Sequence, residues 1–199
     1  FRTYSSVLFC CAAGIIWLCR PVMHIMKSNY YTAWHFVPFL ALASTCSCFN
    51  QFLNSVYVVN KKSTHSLLTM LAGAVSNCIM NYFFIKWWGP VGATYASFLG
   101  LGVVFTLRAI DAHNMIGMSI HPARVLLNFA VLAGEALVLL AEVPLYGLWT
   151  GLITLGIILY NFAGVWAMAR ILLPKLLGRR GKALVKTIDS LLAPREKQA

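Results

Sequence analysis

Charged residues are scarce in this sequence. Only 11% of its 199 residues are Asp, Glu, Lys or Arg, and only five of them are acidic. Soluble domains carry about 25% charged residues. By contrast, 60% of the residues are hydrophobic and the mean hydropathy is +0.75. Because so few polar residues could not cover a water-facing surface, the composition excludes an ordinary soluble domain and predicts an integral membrane protein.

Motifs for catalysis, nucleotide binding and metal binding are absent from the sequence as well. The five histidines and five acidic residues are scattered, with no HExxH, Ser-His-Asp or paired-carboxylate pattern. No CxxC pair occurs, and Cys46-Ser47-Cys48 is spaced too closely for an ordinary zinc pair. There is no GxxxxGK[ST] loop and no GxGxxG turn after a strand. We therefore expect a protein that is not an enzyme, needs no metal or cofactor, and keeps its cysteines as free, buried thiols.

Long apolar runs occupy most of the chain. A helix that spans a bilayer needs about 20 mostly apolar residues. Six stretches meet this requirement, at about 7–27, 36–59, 65–86, 90–108, 124–142 and 146–171. The sequence therefore predicts an all-α fold in which residues 1–172 form a bundle of six transmembrane helices.

Basic residues alternate between the two sides of this predicted bundle. One set of connections carries Arg2, Lys61, Lys62, Arg108 and Arg124. With the eight basic residues from Arg170 to the end of the sequence this makes thirteen, whereas the other set carries only Lys27 and Lys86. Arg20, inside the first helix, completes the sixteen. Because cytoplasmic loops are enriched in Lys and Arg, we predict a multi-pass protein of the cell membrane with both termini and the 60–65 and 111–124 loops in the cytoplasm. Since these charges do not form one patch, no nucleic acid partner is expected.

The tail, residues 173–199, differs from the rest of the chain. In GKALVKTIDSLL the apolar residues share one helical face, and the charged residues lie elsewhere. A basic amphipathic helix beside a last span binds the cytoplasmic leaflet through anionic lipids. We predict such a helix here, with a solvated tail as the alternative.

The stretch IKWWGPVGATYASFLGLG, residues 85–102, predicts a tight corner between the third and fourth helices. Its tryptophans suit the membrane boundary, and Pro90 suits the first turn of a helix. Gly89 can end the preceding helix in a left-handed conformation. Small residues on one face then allow a neighbouring helix to approach closely. We expect these packing positions to be Gly89, Gly92, Ala96 and Gly100.

Around this corner the chain resembles polysaccharide flippases of the multidrug/oligosaccharidyl-lipid/polysaccharide exporter superfamily. In SNCIMNYFFIKWWGPVGATYASFLGLGVVFTLRAI, Asn77 and Asn81 match the asparagines before the family's corner. The small positions of its motif match Gly89, Gly92, Ala93 and Ala96. The basic turn in NSVYVVNKKSTHSLLTMLAGAVSN and the aromatic outer loop in RPVMHIMKSNYYTAWHFVPFLALA are also similar.

This resemblance covers about residues 20–115 and includes two departures. Lys86-Trp87-Trp88 replaces the proline usual before the family's corner, and Pro90 lies inside the corner. The family has two lobes of helices. The resemblance therefore implies that this chain is the C-terminal lobe of a two-lobed transporter whose N-terminal lobe is missing from the sequence.

The function implied by the resemblance is transport. By alternating access, the two lobes would flip lipid-linked oligosaccharide across the cell membrane for polysaccharide biosynthesis. The implied partners are the lipid bilayer, the lipid-linked oligosaccharide and the missing N-terminal lobe. Two alternatives stay open: an ion-coupled multidrug exporter of the same superfamily, and a non-catalytic membrane subunit of polysaccharide assembly. An enzyme of polysaccharide assembly would need a larger outer loop than the one at about 28–35.

Polar side chains inside the predicted helices are the candidates for a substrate cavity, because such groups are costly in a bilayer. Arg20 could bind a pyrophosphate or an acidic sugar, or extend to the outer headgroups. Glu135 could couple transport to an ion, or pair with Asn161. The other candidates form two stripes that could line a cavity or bond helices together. They are Asn50 and Asn54 on the second helix and Asn77 and Asn81 on the third.

Overall fold

The computed structural model describes residues 1–25, 33–117, 121–142 and 144–192. Six α-helices make up this part of the chain: α1 (Arg2–Ile25), α2 (Val37–Val59), α3 (Ser63–Trp88), α4 (Gly92–Ile116), α5 (Pro122–Leu140) and α6 (Tyr146–Leu192). The predicted all-α class and the six helices are confirmed. Residues 28–32 of the predicted outer loop and residues 193–199 of the tail lie outside the described residues.

Four stretches of the described chain are long and apolar enough to cross a membrane. They are Arg2–Ile25, Ser63–Ile116, Pro122–Leu140 and Tyr146–Lys175, and the second contains both α3 and α4. The α2 helix is not among them, because Asn50, Gln51 and Asn54 lower its hydropathy. By helix composition, the chain is a multi-pass membrane protein.

Two packed groups of helices make up the bundle. The α4 helix packs along α2 and α3, while α6 packs along α1 and α5. α1 approaches α6 closely at Gly164, where a Cβ atom would lie only 2.2 Å from Ser6 Oγ. Between the groups lies an apolar core with Phe9 and Ile16 from α1, Phe49 from α2 and Leu132 from α5 at its centre.

Apolar side chains also cover the outside of the bundle. Leu68 on α3, Leu126 on α5 and Leu155 on α6 are each more than half exposed. A continuous apolar surface of this kind would associate in water. It is the surface that a lipid bilayer requires.

Trp17 and Arg2, both on α1, mark the two ends of the bundle, which we call its aromatic and its basic end. At one end, Trp17 Nε1 donates a hydrogen bond to the Gly147 carbonyl oxygen at 3.3 Å. At the other end lies Arg2, the first residue of α1. The 18 residues from Arg2 to Arg20 correspond to about 27 Å of helix. A bilayer's hydrocarbon core is about 30 Å thick, so the two ends fit its boundaries.

The corner between α3 and α4 lies about two residues later than predicted and is a 3₁₀ turn, Gly89–Val91. Gly89 ends α3 with φ +62° and ψ −150°, so its φ is positive but its ψ lies outside the left-handed helical region. The predicted left-handed cap is therefore wrong in detail. Pro90 lies in a 3₁₀ turn, Gly89–Val91, that leads directly into α4.

Two helices continue beyond their predicted ends. Residues 111–116 were expected in a loop but belong to α4, which ends at Gly117 with φ +61°. The α6 helix continues through Pro174 to Leu192. The Asp189 carboxylate accepts hydrogen bonds from Trp166 Nε1 at 2.9 Å and Arg170 Nε at 2.8 Å. A straight helix would separate Arg170 from Asp189 by about 28 Å, so α6 bends back on itself between them.

Candidate functional site

A buried arginine joins α2, α3 and α4. Arg108, on α4, is only 3% exposed. Its Nη1 donates to the Asn50 carbonyl oxygen at 2.7 Å, and its Nε donates to Thr69 Oγ1 at 3.2 Å. Nη2 donates to Ser66 Oγ at 3.3 Å, and the Tyr57 ring lies 5.7 Å from the guanidinium carbon. No acid among the described residues pairs with Arg108, so neutral groups alone hold this charge.

The predicted place of Arg108 in a cytoplasmic connection is wrong. Six of the seven buried residues of α4 form a ladder with a step of four: Gly92, Ala96, Gly100, Val104, Arg108 and Ala112. Residues four apart share one helix face. The sequence prediction stopped at Gly100, and two further steps would have placed Arg108 on the face that meets α2 and α3.

The polar stripe of α2 bonds to both neighbouring helices. Asn50 Nδ2 donates to the Leu101 carbonyl oxygen on α4 at 3.0 Å. Asn54 Oδ1 accepts a hydrogen bond from Ser66 Oγ on α3 at 2.6 Å. Asn50 is buried, and its Oδ1 atom has no hydrogen-bond partner among the described residues. Through these contacts the α2 stripe joins the cluster around Arg108.

The polar stripe of α3 meets a different part of α4. Asn77 Nδ2 donates to the Ala96 carbonyl oxygen at 3.2 Å, and Asn81 Nδ2 donates to Asn77 Oδ1 at 2.7 Å. Both asparagines are half-buried. Within the described part of the chain their side chains do not bond to Asn50 or Asn54, so the two predicted stripes form separate clusters.

The small residues of the corner set the distance between α3 and α4. A Cβ atom at Gly92 would lie 2.1 Å from the Phe84 carbonyl oxygen, and one at Gly100 would lie 2.9 Å from Asn77 Cβ. Ala96 is fully buried between them. Gly89 has open space where a Cβ would stand, and its role is the positive φ of the turn.

Arg20 is held by two aromatic rings and one acid at the aromatic end of the bundle. Its guanidinium carbon lies 4.0 Å from the Trp34 ring centroid and 4.3 Å from the Tyr146 ring centroid. Its Nη2 donates to Glu142 Oε1 at 2.5 Å. Glu142 directly follows the C-terminal end of α5, in a turn with φ +49°. The structure therefore places Arg20 against protein groups at the membrane boundary.

We expect Glu142→Gln to lower the free energy of unfolding by less than about 1 kcal/mol, because exposed ion pairs are screened by water. The Glu142 side chain is 59% exposed, whereas that of Arg20 is 9% exposed. Arg20→Met should cost about 2 kcal/mol, since it removes a cation between two rings. Unfolding in detergent by SDS titration measures both variants. An equal loss in the two would show that the ion pair, not the stacking, holds Arg20.

Polar residues form two layers between α5 and α6. In the first, Asn161 Nδ2 donates to Asn128 Oδ1 at 2.7 Å, and Arg124 Nη2 donates to Asn161 Oδ1 at 3.1 Å. In the second, Thr154 Oγ1 donates to Glu135 Oε1 at 2.8 Å. The layers are seven residues apart on each antiparallel helix, which is two turns and keeps both on the facing sides.

Glu135 is fully buried in the second layer. Its Oε2 atom has no hydrogen-bond partner among the described residues. The sequence offered Asn161 as a structural partner for Glu135, but Thr154 fills that place and Asn161 bonds to Asn128. Thr154 gave no signal as a site residue, because threonines are common in transmembrane helices.

The candidate residues therefore lie in four places rather than in one site. Arg20 is at the aromatic end, the α2 stripe surrounds Arg108, the α3 stripe packs on α4, and Glu135 and Asn161 lie between α5 and α6. No group of three or more His, Cys, Asp or Glu side chains within the described ranges could hold a metal ion. What these clusters provide is a buried cation, a buried acid and fixed helix contacts.

Compared with known proteins, the chain matches no family model, no curated protein and no solved structure at a significant level. The resemblance over residues 20–115 thus stays a prediction from the motif.

Proposed function

We propose that the chain is the C-terminal lobe of a two-lobed transporter that flips lipid-linked oligosaccharide across the cell membrane for polysaccharide biosynthesis. All six helices cross the bilayer in this proposal, including α2, whose Asn50 and Asn54 side chains bond to α4 and α3. Both ends of the chain lie in the cytoplasm, where the basic residues of the connections and the tail are expected. The tail binds anionic lipids of the same leaflet.

The observation that carries the proposal is the geometry of the α3–α4 corner. The motif shared with the flippases consists of asparagines on one helix and small residues on the next. In this chain Asn77 bonds to the backbone of α4 at Ala96, and the Gly100 backbone lies against Asn77. Gly92 packs on the last turn of α3. Four residues of the motif thus have packing roles that a substitution would disturb: Asn77, Gly92, Ala96 and Gly100.

A second lobe is required for transport in this proposal. Alternating access needs a cavity between two lobes that rock against each other. The clusters described above bond helices of one lobe together, so this chain supplies at most one wall of such a cavity. The chain by itself is one half of the transporter.

Reconstitution into vesicles tests the proposal. A fluorescent lipid-linked oligosaccharide is added to one leaflet, and its appearance in the other is followed by quenching. A longer protein that joins this chain to an upstream lobe should flip the lipid, and the chain alone should not. Flipping by the chain alone, or none by the two-lobed protein, would contradict the proposal.

An ion-coupled exporter is the second candidate, and Glu135 favours it. This carboxyl group is fully buried and uses only one of its oxygens in hydrogen bonding within the described residues. Acids in the interior of membrane transporters take part in proton and cation relays. The free oxygen could accept such an ion.

Glu135→Gln in the two-lobed protein separates these candidates. Glutamine keeps the shape of the side chain and an acceptor for Thr154 but cannot titrate. A flippase that recognises the sugar and lipid should keep its export rate within about twofold, whereas loss of an essential proton carrier should lower it by at least about 100-fold. Export in cells measures the rate, and Glu142→Gln is the control because that acid is exposed. A large loss with Glu135→Gln alone would favour the ion-coupled exporter.

A further inference from the structure

An apolar groove of about 1000 Å³ lies between α4 and α5. Phe98, Phe105 and Phe129 stand together on its wall, with centroids of the Phe98 and Phe129 rings 6.1 Å apart. Along α4 the groove runs from Phe98 to His113. Fifteen residues of helix correspond to about 22 Å, which is long enough for an extended acyl chain.

A smaller basic pocket of about 310 Å³ adjoins this groove. Arg2, Arg124 and Tyr160 line it, and His121 and Val125 line both the pocket and the groove. None of the described residues that line either space is acidic. The two spaces are therefore neighbours that share His121 and Val125 in their walls, one of them apolar and the other basic.

The Arg124 guanidinium is held in position, but not all of its hydrogen-bond donors have a partner among the described residues. Its Nη2 donates to Ser6 Oγ at 3.3 Å and to Asn161 Oδ1 at 3.1 Å, and its carbon lies 5.3 Å from the Tyr160 ring centroid. Its Nε is buried without a hydrogen-bond partner in the part of the chain that the structure describes. Arginine offers five donors in a fork that suits phosphate oxygens.

We propose that α4 and α5 bind one anionic phospholipid, with its phosphate in the basic pocket and an acyl chain in the groove. Arg2 is the first residue of α1, at the end of the bundle opposite the aromatic boundary, so the pocket lies at headgroup level. The groove extends from there toward the middle of the bundle. This site is independent of the proposed flippase activity, because its occupant is a lipid of the membrane rather than the cargo.

The pairing of a basic end with an apolar length favours lipid over a protein occupant. A helix of a second chain could fill the groove, but it would need an acid placed at the pocket to match Arg2 and Arg124. A phospholipid has both parts in one molecule. One Lys or Arg near an anionic membrane surface is worth about 1 kcal/mol, which corresponds to about a fivefold preference.

Native mass spectrometry of the full chain tests this site. Protein purified in mild detergent is incubated with equal amounts of phosphatidylglycerol and phosphatidylcholine that carry the same acyl chains. We expect about fivefold or greater preference for phosphatidylglycerol. Arg2→Gln should reduce that preference by about fivefold, while Lys61→Gln, an equally exposed basic position outside the site, should leave it unchanged.

A pair of glycine substitutions tests the acyl chain. Gly102 and Gly156 are both helical and have open space where a Cβ atom would stand, but only Gly102 lines the groove. Gly102→Leu should lower the retention of both lipids by at least about fivefold, because it places a side chain where the acyl chain lies. Gly156→Leu should have no effect. Thermal unfolding confirms that each variant is folded.

Several outcomes would overturn the proposal. Equal retention of the two lipids by the unmodified chain would show that the basic pocket does not select an anionic headgroup. Full retention of both lipids by the Gly102→Leu variant would show that no acyl chain lies in the groove. Displacement of phosphatidylglycerol by glycerophosphoglycerol, which lacks acyl chains, would assign the pocket to a free anion. A mass of two chains that Gly102→Leu converts to one would assign the groove to a second copy of the protein.

Discussion

Replacing Gly92 with alanine is expected to lower the free energy of unfolding by about 3 kcal/mol, the upper range for adding a methyl group to a packed site. The added Cβ atom would lie 2.1 Å from the Phe84 carbonyl oxygen and 2.4 Å from its carbon. Both are backbone atoms of the last turns of α3, so no side-chain rotation can relieve the contact. The corner must open, which disturbs the contacts of Asn77 and Gly100 along the same interface.

Gly102→Ala is the matched control for this substitution. Gly102 lies in the same helix, but a Cβ atom there has nothing within 4 Å. Alanine is a better helix former than glycine by about 1 kcal/mol, so this variant should be unchanged or slightly more stable. SDS titration in mixed micelles gives both free energies. A loss below about 1 kcal/mol for Gly92→Ala would show that the corner is not held at the described distance.

The second large effect is expected at Arg108. Arg108→Ala removes a buried side chain from beside the Tyr57 ring and leaves a cavity, at a cost of about 3 kcal/mol. Arg108→Met fills most of that volume without a charge. Among the described residues only neutral groups bond to this charge, so its desolvation offsets much of what its hydrogen bonds contribute. We therefore expect Arg108→Met to be within about 1 kcal/mol of the unmodified protein.

The free energies of unfolding of the two Arg108 variants decide whether the hydrogen bonds of the guanidinium or its desolvation has the larger effect. If methionine costs as much as alanine, the hydrogen bonds to Asn50, Thr69 and Ser66 outweigh the desolvation of the guanidinium. If methionine is tolerated while export by the two-lobed protein is lost, the arginine is present for transport rather than for stability. Leu53, also buried on α2, provides a comparison, because Leu53→Ala creates a cavity without a change of charge.

The helices could be predicted from the sequence because the hydropathy that marks a transmembrane helix is summed over about 20 residues. Polar side chains lower the hydropathy of α2, but its predicted start differs by only one residue from the observed one. The ladder at Gly92, Ala96 and Gly100 was found for a similar reason, since a step of four is visible without knowledge of the partner helix. Its continuation to Arg108 was missed because an arginine near the end of an apolar run has the composition of a loop.

The grouping of the candidate residues could not be predicted, because it depends on which helices are neighbours. Hydropathy places Asn50, Asn77 and Glu135 within helices but says nothing of the side each one meets. The pairing of Glu135 with Thr154 requires the register of α5 against α6. Likewise, the bend of α6 follows from contacts of Asp189 with residues about twenty positions earlier, which no local pattern contains.

The equal spacing of the two polar layers has a mechanical consequence for α5 and α6. A slide of one helix along the other by a single turn would separate Asn128 from Asn161 and Glu135 from Thr154 at the same time. The two layers therefore oppose sliding of α5 along α6, and the two helices move as one rigid unit. A conformational change within this chain has to occur where this pair of helices meets less tightly packed parts of the bundle. These are the open groove against α4 and the bend of α6 beyond Arg170.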